Sequence, residues 1–268
     1  MMRVTVIGAA GRMGRMLIRE VVAAKDLQLV GACEAKGSPA LGQDAGSVAG
    51  ISLLNVLVVA DLTSSLENAQ VVIDFTLPEL TIKLAPICAD KGRAMVIGTT
   101  GLSSEQAKMV EKAAKQIPIV WAPNMSIGVN VMLKLVGQTA KLLGPEYDLE
   151  IVEAHHKHKR DAPSGTALRI AEVLAQATKE RGSLEERVCH GRVGQIGERD
   201  SNQIGIHSIR GGDIVGAHRV MYCADGERLE LVHSASSRQI FAKGAIKALR
   251  WIADKKPGLY DMRDVLGL

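Results

Sequence analysis

Residues 153–166 hold the densest set of reactive side chains in the sequence: Glu153-Ala154-His155-His156-Lys157-His158-Lys159-Arg160-Asp161-Ala162-Pro163-Ser164-Gly165-Thr166. Three histidines within four residues raise the question of a metal site. The i,i+4 helical spacing and the paired cysteines that metal ligands favour are both missing, so no metal is expected. A loop rich in His and Lys instead suits protonation chemistry and anion binding. Pro163-Ser164-Gly165-Thr166 reads as a helix start, with Pro163 as the initiator. The first amides and hydroxyls of such a helix can hold a carboxylate, with Lys159 adding positive charge nearby. Taken alone, the segment is better read as a solvated basic turn before a capped helix. Arg238 either completes an anion site or is a surface arginine. His190, His207, His218 and His233 lie singly on predicted strands or loops and read as structural.

The N-terminus changes that balance. Val4–Ile7 runs into Gly8-Ala9-Ala10-Gly11-Arg12-Met13-Gly14, between a first strand and a first helix. Small residues there let backbone approach a pyrophosphate, and the helix start presents free N–H groups to it. The spacing is Gly-x-x-Gly-x-x-Gly rather than GxGxxG, which weakens the motif standing alone. Glu34, 20 residues after Gly14 at the end of the second strand, restores it, because a carboxylate there accepts hydrogen bonds from ribose hydroxyls. Two later loops, Gly98-Thr99-Thr100-Gly101 and Ala122-Pro123-Asn124-Met125, fall at the C-terminal ends of strands, where open α/β sheets bind ligands. With a dinucleotide site present, the His/Lys segment reads as the place where a small di-acid is protonated during reduction.

Alternating elements must position these groups. Strands are predicted at Arg3–Ile7, Leu27–Cys33, Val71–Phe75, Met95–Ile97 and Ile117–Ala122. Helices are predicted over Arg12–Ala24 and from a Ser103/Gln106 capping box to before Pro118. This is a Rossmann-like, doubly wound parallel sheet, an α/β class. Beyond Asn124 the pattern changes to a helix over Gly128–Leu143, a strand over Asp148–Ala154 and a helix from Pro163 to about Glu180. Strands follow at Ile204–Arg210, Ile214–Ala224 and Glu227–Ser234, with hairpin turns expected at Gly211-Gly212-Asp213 and Ala224-Asp225-Gly226. The expected organisation is a dinucleotide-binding domain over 1–126 and 237–268. A smaller α+β substrate and oligomerisation domain with an open mixed sheet occupies 127–236. A final amphipathic helix near Gln239–Ala253 returns to the first domain.

Composition excludes several function classes. The 268 residues are 47% hydrophobic and 23% charged, ordinary globular values that rule out disordered, collagen and coiled-coil chains. Aromatics at 3% are too few for stacking on single-stranded nucleic acid, and a net charge of +4 is too small for a phosphate track, so no nucleic-acid partner is expected. Four scattered cysteines without CxxC read as reduced thiols. No apolar run is long enough to span a bilayer, and MMRVTVIG leads directly into a strand. A cytoplasmic protein without a membrane partner is expected.

Together these residues resemble the dihydrodipicolinate reductase family along essentially the whole chain. The resemblance is carried by GAAGRMGR, VVIDFT (71–76), MVIGTTG (95–101), APNMSIGVNVMLKL, EAHHKHKRDAPSGTA, RGGDIVG (210–216) and DMRDVLGL. It implies reduction of 4-hydroxy-tetrahydrodipicolinate to tetrahydrodipicolinate in lysine and diaminopimelate biosynthesis, with NADH or NADPH as cofactor and no metal. It assigns dinucleotide contacts to Gly8, Ala9, Ala10, Gly11, Arg12, Met13, Glu34, Gly98, Thr99, Thr100, Ala122, Pro123, Asn124 and Met125. His155 becomes the proton donor/acceptor and Lys159 the proton donor. His156, Gly165 and Thr166 become carboxylate contacts, with Ser164 and Arg238 as additions. Members of the family are usually homotetramers built through the second domain's sheet. One departure concerns the cofactor: the arginine that often follows the acid of the second strand is Ala35 here, with Lys36 one further on. Glu34 with Ala35 should make NADH at least as good as NADPH, because a bidentate partner for a 2′-phosphate is missing. The alternatives are a dehydrogenase of another small dicarboxylate and a non-catalytic dinucleotide sensor.

Overall fold

A run of β-branched residues, Val4-Thr5-Val6-Ile7, makes the buried end of the first strand, β1 (Met2–Ile7), and Gly8 ends it with a positive φ of 71°. The computed structural model describes residues 1–268 and divides into two units, residues 1–127 with 239–268 and residues 128–238. No helix is long and apolar enough to cross a membrane.

In the first unit, α1 (Arg12–Ala23) follows β1 and buries Gly14, Leu17, Ile18 and Val21 on one face. The chain continues through β2 (Leu27–Cys33), α2 (Ala45–Ala49), β3 (Val58–Val59), α3 (Leu62–Ser65), β4 (Val71–Asp74) and α4 (Pro78–Asp90). Next come β5 (Ala94–Ile97), α5 (Ser104–Ala114) and β6 (Pro118–Trp121). β4 and β5 are buried along their whole length, as expected of a parallel sheet covered on both faces. The Ser103/Gln106 capping box opens α5 as its sequence predicts. The short strand β3 and helices α2 and α3 had no readable pattern, because two to five residues carry too little periodicity.

The second unit begins within α6 (Ile127–Leu143), followed by β7 (Asp148–His155) and α7 (Gly165–Ala177). A 3₁₀ turn (Lys179–Arg181), α8 (Leu184–Arg187), β8 (Val188–His190), β9 (Ile204–Arg210), β10 (Gly216–Ala224) and β11 (Glu227–Ala235) complete it. Its five strands are ordered β11-β10-β7-β9-β8, a mixed sheet. This corrects one expectation. Gly211-Gly212-Asp213 is not a hairpin turn, because β7 lies between β9 and β10, parallel to the first and antiparallel to the second. The glycine turn instead bridges across the end of β7, with Gly211 N donating to His155 O (3.0 Å) and Lys157 N donating to Gly212 O (3.2 Å). The turn at 224–226 does close a hairpin, β10 with β11. Helix α7 ends at Ala177 rather than near Glu180. Its N-cap is Ser164, which places Pro163 outside the helix, after a cis Ala162–Pro163 bond, and not at the first helical position.

The chain then returns to the first unit as α9 (Gln239–Ile252), β12 (Gly258–Tyr260) and α10 (Met262–Leu266). β12 pairs with β6, completing a seven-stranded all-parallel sheet ordered β12-β6-β5-β4-β1-β2-β3. Helix α9 buries Ala242, Ala245, Ala248, Leu249 and Ile252 in the core shared with α1. Arg250 clamps Asp26 with two bonds of 2.7 Å.

Candidate active site

Strand register collects the titratable groups of the second unit. Glu153 on β7 lies opposite Ser208 on β9 and His218 on β10, and His218 lies opposite His233 on β11. Directly opposed residues share a sheet face. This face also carries Leu149, Ile151, Val220 and Tyr222, which pack with α6 and α7. His155 sits two residues beyond Glu153, and a Cβ on buried Gly216 would lie 3.1 Å from its Nε2, so a glycine there leaves space for the imidazole.

Glu153 is fully buried, and its carboxylate accepts four hydrogen bonds. Oε2 accepts from Arg210 Nη1 (2.8 Å) and His155 Nδ1 (2.6 Å), while Oε1 accepts from Arg210 Nη2 (2.7 Å) and Ser164 N (3.1 Å). Burial by itself would raise this carboxyl, but the donors, Arg210 foremost, outweigh it and hold the pKa at about 2. An ionised carboxylate only accepts, so the proton between the two groups sits on His155 Nδ1. That leaves Nε2 as the ring nitrogen outside this hydrogen bond.

The same carboxylate reaches the start of α7 through the Ser164 amide. Ser164 Oγ accepts from Ala167 N (3.2 Å) as the helix cap and lies 3.1 Å from His218 Nε2. Burial, then the charges of His155 and its neighbours, push the His218 pKa down to about 4, so this ring is neutral near pH 7. It packs edge-on to His155 with ring centroids 5.3 Å apart. Lys159 Nζ pairs with Asp161 Oδ2 at 2.8 Å, and that bond is the main reason Asp161 is held below the usual carboxylate range. Arg238 Nη2 lies 3.4 Å from His156 Nε2. Burial and then the Arg238 guanidinium lower the His156 pKa. Nδ1 of His156 and Nδ1 of His218 are buried without a protein partner, the condition in which a ring nitrogen is available to a polar ligand.

His155, His156, Lys159, Ser164 and Arg238 are therefore brought together. Gly165 is the exposed first residue of α7, where a Cβ would meet nothing within 4 Å, and Thr166 follows in the same turn. Three members of the cluster went unread in the sequence. His218 reads as structural in the sequence, although alternation along β10 puts it on the Glu153 face. Glu153 stood in the motif without a role, and its i,i+2 spacing from His155 was the available signal. Arg210 opens the RGGD segment, but only strand register brings it to Glu153. No group of three or more His, Cys, Asp or Glu side chains that could hold a metal ion occurs.

In the first unit the glycine loop is a tight cradle. A Cβ on Gly14 would lie 2.0 Å from Gly8 O, and one on Gly8 would lie 2.8 Å from Thr76 Cγ2. Gly11 caps α1 without a side-chain hydrogen bond, so its first amides face outward for an anion. Arg12 and Met13 form the first helical residues. Ala9 is buried and its N donates to Cys33 O (3.0 Å), while Ala10 N donates to Glu34 Oε2 (2.9 Å). Glu34 also lines a cavity of about 560 Å³ with Ala10, Gly11, Ser38, Ala40 and Gln43. This cradle and cavity fit the phosphates and ribose of a dinucleotide.

Thr99 and Thr100 follow β5. Trp121 Nε1 donates to Thr99 O (3.2 Å), and Ala122 N donates to Ile97 O (3.1 Å), joining the two predicted loops. Pro123 is exposed, Asn124 Oδ1 accepts from Ser126 N (2.9 Å), and Met125 is buried beneath Gly244 of α9. Phe75 and Thr76 were missed. The Phe75 ring would clash with a Cβ on Gly98, at 2.3 Å, just as Thr76 would with one on Gly8. Both therefore stand among the ligand-facing loops, and their place directly after a buried strand was the signal.

Comparison with known proteins agrees with both halves. Residues 2–125 match the family model for the dihydrodipicolinate reductase N-terminus, and residues 128–266 match that for its C-terminus. A 4-hydroxy-tetrahydrodipicolinate reductase of Hahella chejuensis is 50% identical over 268 residues, covering 100% of each chain. One from Anaeromyxobacter dehalogenans strain 2CP-1 is 52% identical, covering 100% of this chain and 98% of the relative. A dipicolinate-bound dihydrodipicolinate reductase from Paenisporosarcina sp. TG-14 superposes with a TM-score of 0.78 at 26% identity, covering 97% of each chain. The chain belongs to the dihydrodipicolinate reductase family of NAD(P)H-dependent oxidoreductases.

Proposed function

We propose that this chain reduces 4-hydroxy-tetrahydrodipicolinate to tetrahydrodipicolinate in lysine and diaminopimelate biosynthesis, using NADH or NADPH. The observation that carries the reading is the buried Glu153 carboxylate, which joins the proton-exchanging ring of His155 to the N-terminus of α7 through Ser164. A cyclic dicarboxylate needs cations and amide donors for its carboxylates and a proton source beside its ring, and this cluster supplies both kinds of group.

Gly8, Ala9, Ala10, Gly11, Arg12 and Met13 hold the pyrophosphate and Glu34 the adenosine ribose. Gly98, Thr99, Thr100, Ala122, Pro123, Asn124 and Met125 form the remaining cofactor contacts. NAD(P)H supplies the hydride when bound. His156, Ser164, Gly165, Thr166 and Arg238 bind substrate carboxylate. The 4-hydroxyl leaves as water and hydride adds to the ring, a sum that consumes one proton; His155 Nε2 and Lys159 Nζ handle the proton transfers, with Lys159 leaving Asp161 to do so. Glu153 and Arg210 fix the tautomer and orientation of His155.

Glu34 favours two free ribose hydroxyls, and Ala35 offers no guanidinium to a 2′-phosphate, so NADH serves at least as well as NADPH, with Lys36 sustaining some NADPH use. The chain works as a homotetramer in the cytoplasm. The first point is supported by the sheet face opposite α6 and α7, where Ile209 and Val232 are 50% and 55% exposed, and the second by four free cysteines. The test is a panel of initial rates of NADH and NADPH oxidation, comparing the freshly generated product of the preceding synthase with open-chain 2-oxo dicarboxylates. Oxidation confined to the synthase product supports the assignment. Equal rates with the open-chain acids point to a different dicarboxylate dehydrogenase, and dinucleotide binding without turnover points to a sensor.

A further inference from the structure

Asp74 is the last residue of the central strand β4, and in register it stands between Ile7 of β1 and Ile97 of β5. It therefore lies between the residues that lead into the Gly8 loop and the Gly98 loop. Its side chain is 0% exposed, and no cation pairs with it. Oδ1 accepts from Thr76 N (3.0 Å) and Thr76 Oγ1 (2.5 Å), and Oδ2 accepts from Thr81 Oγ1 (2.5 Å) on α4. Thr81 Oγ1 is 3.0 Å from Thr99 Oγ1, which also accepts from Thr76 N at 3.1 Å. The Asp74 carbonyl holds Gly98 N at 2.8 Å.

Each of these hydroxyls belongs to a loop that a dinucleotide would touch or to its support. Thr76 presents its methyl to Gly8, whose absent Cβ would come within 2.8 Å of it. Thr99 is the centre of the Gly98–Gly101 loop. Thr81 sits behind both, buried in the first turn of α4. A carboxylate without a counter-ion is costly to bury unless its hydrogen bonds are worth keeping. A residue needed only to fill the core here would be apolar.

We infer that Asp74 is a positioning residue for the cofactor, fixing the loop that would cradle the pyrophosphate and the Gly98–Gly101 loop to one another through Thr76, Thr81 and Thr99. The inference rests on the dinucleotide reading of the first unit. Asp74 touches no ligand. It acts by accepting from the Thr81 hydroxyl and from the Thr76 amide and hydroxyl, so that these point inward and both loops keep one geometry.

The test is the dissociation constant of NADH, read by nucleotide fluorescence on the full-length protein well below its melting temperature, for four proteins. Asp74→Asn replaces an acceptor with a donor. Thr81→Val removes one hydroxyl remote from any ligand, and Thr81→Ser restores it. Asp74→Asn should weaken NADH about tenfold and Thr81→Val about threefold, the size expected when buried hydrogen bonds lose a partner. Thr81→Ser should stay within about twofold of wild type, because it keeps the same hydroxyl. A structural role alone would lower the urea midpoints of Asp74→Asn and Thr81→Val while leaving NADH affinity at the wild-type value, and that result overturns the inference. If Asp74→Asn does not fold, Thr81→Val against Thr81→Ser decides it. Failure of the wild-type protein to bind either NADH or NADPH would instead overturn the dinucleotide reading, and this inference with it.

Discussion

Replacing Glu153 with Gln probes the proton-handling cluster with a change of one atom. Each carboxylate oxygen receives two donors, Arg210 Nη1 with His155 Nδ1 on Oε2 and Arg210 Nη2 with Ser164 N on Oε1. Glutamine offers a single oxygen, so its amide nitrogen must face two of those donors whichever way it turns. If the nitrogen takes the Oε2 position, His155 can accept from it only by moving its proton to Nε2, the wrong atom for exchange with substrate. If it takes the other position, Ser164 N and Arg210 lose their acceptor. Breaking a buried charge pair on one side costs about 3–5 kcal/mol of stability. Losing a correctly held general acid/base costs about 10²–10⁴ in rate. The expected outcome is a protein that still folds and binds NADH normally, with kcat reduced about a hundredfold or more. A long-range ¹H–¹⁵N spectrum of the histidine rings should show the proton on Nδ1 of His155 in wild type and its loss or redistribution in the variant. Wild-type kcat together with an unchanged Nδ1 proton would refute the argument that Glu153 sets the tautomer.

Lys159→Ala should lower kcat strongly while the NADH dissociation constant barely moves, and a large loss of NADH binding would contradict the separation of roles between the two units. Gly14→Ala should destabilise the chain by about 1–3 kcal/mol or more in urea titration, because the new methyl would meet backbone rather than a flexible side chain. Stability should fall with acid in two stages. The His218 pKa drops from 6.5 to about 4 on folding, so the unfolded state binds the proton first and stability declines between those values. Glu150 on β7, which accepts from Arg192, Arg199 and His207, and Glu153 are each shifted from 4.5 to about 2 and contribute stability above 4.5 that is lost as pH falls toward 2. Urea midpoints measured from pH 8 to pH 3 check this, and His218→Gln should weaken the upper stage, to which His156 and His233 also contribute, while leaving the lower one.

Much of the fold is legible because long elements carry strong periodicity. Leu27–Cys33 and Ile204–Arg210 are strands with the bounds their patterns predict, and Ser103/Gln106 caps α5 as expected. β3 and β12 escape because two or three residues show no alternation, and their pairing with β2 and β6 is a long-range choice. The hairpin expected at Gly211–Asp213 fails for a related reason. Glycines signal a reversal, but nothing local says that β7 already occupies the space between the two strands. Within the candidate site, the residues clustered in sequence were readable, His155 through Thr166 above all. Arg210 and His218 were not, since register alone brings them to Glu153 from 57 and 65 positions away. Asp74 was hidden as the end of an apolar strand, where a lone carboxylate looks like a terminus rather than a hub.

The most direct test of the proposed reaction is to follow the hydrogen itself. NADH dideuterated at C4 of the nicotinamide is supplied with the freshly generated synthase product, and the tetrahydrodipicolinate formed is examined by mass spectrometry. The account predicts a single deuterium on carbon in the product, appearing in step with NADH oxidation and slowed in the same proportion by Lys159→Ala. NADH consumed without deuterium in the product, or product formed without NADH consumption, would contradict it.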